Sequence, residues 1–164
     1  MNSWWMEVLQ TFREEFSDIS DASQLTRMCI RLSVAVLLGG ILGYERESRG
    51  VSAGLRTHML VALGSALFVL VPLEAGIQPA DLSRVLQGVI AGIGFLGAGA
   101  IIKLSHEKEI KGLTTAASVW MTAAIGIAAG MGRESTAILS ALFALFILAA
   151  LRQVERRHKQ DKAG

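Results

Sequence analysis

The chain has 164 residues, 52% hydrophobic and 18% charged, with a formal net charge of +2. A soluble domain carries about 25% charged residues, and a disordered chain is far poorer in apolar ones, so both classes fit badly. Its single cysteine, Cys29, excludes a disulfide framework and a cysteine-based zinc site.

Residues 1–20 read as an amphipathic helix. Trp4, Trp5, Val8, Leu9, Phe12 and Phe16 recur at helical spacing, while Glu7, Arg13, Glu14 and Glu15 lie off that stripe. Tryptophan rings favour the membrane interface, so one reading is a helix lying there. Its polar face is acidic and would not be drawn to anionic lipid, and packing over the rest of the protein is the other reading. The segment lacks the basic start and apolar run of a secretory signal. Asp21 with Gln24 resembles a capping box that opens the next helix.

Crossing the hydrocarbon core takes roughly 20 helical residues, with a usable range of about 17–25. Five stretches qualify: residues 28–44 (interrupted by Arg31), 57–73, 85–102, 113–132 and 135–151. The last four contain no Asp, Glu, Lys or Arg. The runs are continuous and do not alternate as barrel strands do. The expected fold is therefore all-α, a polytopic transmembrane helix bundle of five spans over residues 22–151. An interfacial helix precedes it, and a basic tail, residues 152–164, follows.

Lys and Arg set the orientation. The first loop holds Arg46, Arg49 and Arg56, the third holds Lys103, Lys108 and Lys111, and the tail holds five more. Those regions total eleven basic residues; Arg13, Arg27, Arg31, Arg84 and Arg133 make five on the other side. The N-terminus is expected outside and the C-terminus inside.

Three groups of residues could carry function. The first is Glu45 and Arg46 at the inner end of span one, with Arg56, Thr57 and His58 opening span two after a short loop. Glu45 and Arg56 can approach each other at one depth, either as a partly desolvated functional pair or as an anchor for the hairpin. The second group is glycine. Gly39/Gly43, Gly88/Gly92 and Gly126/Gly130 form GxxxG motifs, and Gly94, Gly97 and Gly99 extend the run in span three. Close helix packing explains them; local unwinding, as in transporters, is the alternative. No βαβ context supports a nucleotide loop. The third group is Thr114, Thr115, Ser118 and Thr122 with Trp120, entering span four from the inner side. Such hydroxyls bond their own preceding turn or a neighbouring helix, with ligand binding as the alternative.

These clusters carry a resemblance. Gly43-Tyr44-Glu45-Arg46-Glu47, Ala53-Gly54-Leu55-Arg56-Thr57-His58, Gly92-Ile93-Gly94-Phe95-Leu96-Gly97-Ala98-Gly99-Ala100-Ile101, Gly112-Leu113-Thr114-Thr115-Ala116-Ala117 and Ala124-Ile125-Gly126-Ile127-Ala128-Ala129-Gly130 resemble the MgtC/SapB family of bacterial inner-membrane proteins, over residues 28–150. The chain reads as a short form without the family's cytoplasmic C-terminal domain. The resemblance implies a multi-pass homodimer in the inner membrane that supports growth in low magnesium and survival inside macrophages. It also implies docking on membrane partners such as the ATP synthase, with effects on membrane potential.

Magnesium transport is the alternative function. Mg²⁺ prefers oxygen ligands and gives up water reluctantly, so a pathway should show intramembrane acids. Spans two to five have none. No cofactor and no nucleic-acid partner is expected. Catalysis is not expected either: Ser65 and Ser118 are the candidate nucleophiles, and the spacing puts neither beside His58. His58, His106 and His158 lie in three separate regions, which argues against a metal centre.

Overall fold

The computed structural model describes residues 3–15, 21–102 and 112–161, and among these it is all helix and turn. Six helices follow in order: α1 (Ser3–Glu15), α2 (Ala22–Glu47), α3 (Leu55–Glu74), α4 (Pro79–Ile102), α5 (Leu113–Gly130) and α6 (Glu134–Asp161). Phe16, Lys103, His106, Lys108 and Lys111 lie outside the described residues.

Residues Met1–Ile30 and Arg31–Gly164 form two compact units. In the first, α1 leaves Trp4, Trp5, Met6, Leu9 and Phe12 exposed, with the two indole rings edge to face at 4.5 Å. Asp21 caps the start of α2. Its carboxylate accepts the Ser23 amide at 2.6 Å and the Ser23 hydroxyl at 2.7 Å. The Ser23 hydroxyl, then its amide, and last the charge of Arg27 hold the Asp21 carboxyl below the usual carboxylate value.

The second unit has a core of small residues. Ala35 and Leu42 of α2, Ala62 and Ala66 of α3, Ile125 and Ala129 of α5, and Ala137, Ala141 and Ala144 of α6 are buried together. Large side chains point the other way: Phe95 is 80% exposed and Phe146 is 68% exposed. That inversion suits hydrocarbon, where bringing apolar surface together gains little and close backbone packing supplies the attraction. Among the described residues, four helices, α2, α3, α5 and residues Ala80–Ile101 of α4, are long and apolar enough to cross a membrane. The apolar part of α6, Glu134–Ala150, is shorter, and the helix continues to Asp161 through residues expected to belong to the tail. These features make the protein a membrane helix bundle.

α3 is flanked by glycine faces. A Cβ at Gly39 would sit 2.7 Å from the His58 carbonyl oxygen, and one at Gly43 would sit 2.7 Å from the Leu55 Cα. From the other helix, a Cβ at Gly126 would lie 2.9 Å from the Ala62 Cα and one at Gly130 2.8 Å from the Ala66 Cα. Two of the three GxxxG motifs are thus consumed inside the chain. α4 packs on α5 and α3, and α6 packs on α5.

At the end of the bundle where α3 finishes, Arg31 meets Glu74 at 3.6 Å. The α5–α6 turn closes over this pair. Gly132 adopts φ +71°, a left-handed conformation open to glycine, and a Cβ there would lie 2.7 Å from the Arg31 guanidinium. Arg31, the single charge inside the first apolar run, is thereby neutralised by a partner.

Candidate functional site

The opposite end of the bundle gathers the end of α2, the starts of α3 and α5, and Leu148 of α6. Its geometry begins with Glu47. Gly54 precedes the first turn of α3 and has no side chain to cap it, so the Leu55 amide would otherwise be orphaned. The Glu47 carboxylate accepts that amide at 2.7 Å. A Cβ on Gly54 would come within 2.6 Å of the same carboxylate, which explains the glycine.

Glu45 forms an ion pair with Arg49, four residues on, in the turn that follows α2. Arg49 also donates to the Leu148 carbonyl at 2.9 Å, tying α2 to α6. The pairing expected between Glu45 and Arg56 is not made. Arg56 is exposed and has no ion pair among the described residues. The physical reason is local: the turn that continues α2 brings Arg49 back over Glu45, four residues away, while Arg56 stands on another helix. Among the described residues, neither Glu45 oxygen has a hydrogen bond apart from the Arg49 pair, and neither does Nε of Arg46, a residue 5% exposed.

The other expected site residues separate by burial. Thr57 and Thr114 are exposed, like Arg56, whereas His58 and Thr115 are buried beside the core. His58 Nδ1 lies 2.9 Å from the Gly54 carbonyl and Nε2 lies 3.2 Å from the Ser118 hydroxyl. Ser118 in turn donates to the Thr115 carbonyl at 2.8 Å, and Thr122 donates to the Ser118 carbonyl at 2.8 Å. The expectation that no serine stands beside His58 is therefore corrected. Their contact spans α3 to α5, and spacing along one helix could not reveal it. A signal was present in part: Thr115, Ser118, Thr122 and Gly126 recur at helical intervals and share the face turned to α3. Ser118 sits in the second turn of α5.

The glycines also divide. Gly39, Gly43, Gly126 and Gly130 touch α3 as described, and Gly97 makes an ordinary contact, 3.5 Å from its Cβ position to the Ala116 Cβ. At Gly88, Gly92, Gly94 and Gly99 an added Cβ meets nothing within 4 Å. Gly88 and Gly92 line an open groove on α4 with Phe68, Val85 and Leu96.

No group of three His, Cys, Asp or Glu side chains that could hold a metal occurs among the described residues. A cavity of about 290 Å³ between α2, α5 and α6 is lined by Leu42, Ala117, Met121, Phe143 and Ile147, with Thr114 and Ser118 at its polar edge. Such a lining receives hydrocarbon more readily than a hydrated ion.

Comparison with known proteins follows the same residues. The sequence profile described as the MgtC family matches residues 32–157. Protein SrpB of Synechococcus elongatus is 41% identical over 140 residues, which cover 79% of this chain and 77% of SrpB. YhiD of Escherichia coli (strain K12), named as a candidate magnesium transporter, is 42% identical over 135 residues, covering 78% of this chain and 62% of YhiD. Protein MgtC of Salmonella typhimurium (strain 14028s / SGSC 2262) is 37% identical over 131 residues, or 80% of this chain and 55% of that protein. The chain thus spans less than two thirds of YhiD and of MgtC. No solved structure gives a significant match.

Proposed function

The chain belongs to the MgtC family, and from that premise we propose that it is an inner-membrane regulatory protein supporting adaptation to low magnesium and intracellular survival. It works by helix-to-helix docking. The observation that carries this reading is the open glycine face of α4: two GxxxG motifs are filled by α3, while Gly88 and Gly92 leave room for a backbone from outside the chain. A second copy of the chain is one occupant of that face. A helix of a membrane partner is the other, and the ATP synthase is the partner that the resemblance implies, with altered membrane potential as the consequence. The names of the MgtC and YhiD relatives support the link to magnesium.

A second reading, passage of Mg²⁺ or another ion through the polar end, draws on Glu45, whose carboxylate is mostly buried with no hydrogen bond beyond its ion pair. Against it stand the lack of any acid in residues 57–73, 82–102 and 113–130, and the apolar lining of the neighbouring cavity.

One pair of assays tests the proposal. The chain is expressed in a strain that lacks its own MgtC-type protein and grows poorly in low magnesium, and the purified protein is placed in proteoliposomes. Regulation predicts restored growth with no Mg²⁺ flux above that of empty vesicles. Protein-dependent Mg²⁺ flux that the substitution Glu45→Gln abolishes would overturn it.

A further inference from the structure

We infer that His58 and Ser118 form a proton-binding site that couples α3 to α5. The inference rests on counting protons along one chain of contacts. Gly54 O, the His58 ring, Ser118 Oγ and Thr115 O stand in line, separated by 2.9, 3.2 and 2.8 Å. Each of the three contacts needs one proton. A neutral imidazole supplies one N–H and the serine supplies one O–H, so two protons serve three contacts. With the proton on Nδ1, the Ser118 hydroxyl must choose between Nε2 and the Thr115 carbonyl. With the proton on Nε2, the bare Nδ1 faces the Gly54 carbonyl, acceptor against acceptor. Either tautomer leaves one contact unmade.

A second proton on the ring completes the chain. Nδ1–H then donates to Gly54, Nε2–H donates to Ser118, and Ser118 donates to Thr115, all in one direction. His58 is 0% exposed and Ser118 is 7% exposed, so these groups rely on one another. Among the described residues, the charged neighbours of the ring are Glu45 and Arg46 on α2. α5 brings Ser118 to the ring and Thr115 behind it, and neither α4 over residues 85–102 nor α5 carries any charged side chain. Loading the proton fastens the first turn of α3 to the first turns of α5. Releasing it frees one link between the two helices whose backbones approach most closely further along, at Gly126 and Gly130.

The test uses the full chain carrying H106Q and H158Q, so that His58 is the sole histidine, labelled with nitrogen-15 on the ring and held in lipid nanodiscs. Its ring shifts are followed by NMR from about pH 4 to about pH 9, a range that brackets ordinary histidine titration. A reversible change from a singly to a doubly protonated ring is expected. In S118A two of the three contacts vanish, and a neutral ring is satisfied by Gly54 alone. Proton affinity should then fall about tenfold or more, moving the midpoint down by about one pH unit or more. S118T keeps the hydroxyl and should keep the midpoint. A ring that holds one protonation state across the whole range in the unsubstituted background would overturn the inference without any variant. So would an S118A midpoint equal to that of the parent.

Discussion

Gly126 shows how little room the bundle leaves at its contacts. The backbone of α3 lies where a Cβ on this residue would fall, and backbone cannot swing aside as a side-chain tip can. Gly126→Ala should therefore cost on the order of 1–3 kcal/mol through overpacking, read as a lower melting temperature in detergent. Gly94, with open space around it, should tolerate the same change with no loss. The Glu45–Arg49 pair makes a different kind of contact. Both side chains are mostly buried, at 16% and 17% exposure, so removing one leaves a charge without its counterion. Glu45→Gln or Arg49→Gln alone should destabilise by roughly 3 kcal/mol. The exchange Glu45→Arg with Arg49→Glu should recover much of that stability. If it also recovers low-magnesium growth, the pair is an anchor between α2 and α6, and the functional weight at this end passes to Arg46, His58 and Thr115.

Among the helices, α2 has an N-terminus whose stability follows pH. The Asp21 carboxyl is held below its ordinary value by the Ser23 hydroxyl and amide. A depressed carboxyl contributes stability that is fully present above the unfolded carboxyl value, near 3.8. That contribution is lost as the pH falls through the lower folded value. Amide exchange at Ser23 and Leu25 should accordingly speed up in acid below that point, and Asp21→Asn should remove most of the dependence. Span-scale features of this sort were legible from residues alone: the apolar runs became α2 to α6, and the acidic amphipathic start became α1. What the sequence could not show were the pairings across helices. Sequence puts Glu45 and Arg56 within reach at one depth, yet Arg49, four residues from Glu45, is the partner it meets. His58 and Ser118 are sixty positions apart, and their meeting depends on α5 lying along α3. The glycines were readable as packing residues, but which motif faces inward and which outward depends on helix rotation, and composition carries no such information.

Taken together, the bundle places one charged end at Arg31 and Glu74 and another at Glu45, Arg46 and Arg49. The distribution of basic residues predicts the second end to be cytoplasmic. Reporter fusions after Gly50, Gly76, His106 and Gly164 should read in, out, in and in. A cytoplasmic reading at Gly76 would reverse that assignment. Orientation also decides which leaflet the open face of α4 meets at each level, because Arg84 and Asp81 mark one end of its groove. Docking on this face is the step that the proposed regulation needs, and a bulky residue at Gly92 should block it without touching the interior. The decisive measurement is membrane crosslinking and native mass measurement of Gly92→Leu beside the unsubstituted chain, at matched accumulation and with low-magnesium growth scored in the same cells. The predicted result is a protein that melts as before but loses its association with a second copy or a membrane partner, together with its support of growth. Unchanged association and full growth would contradict the docking role of α4.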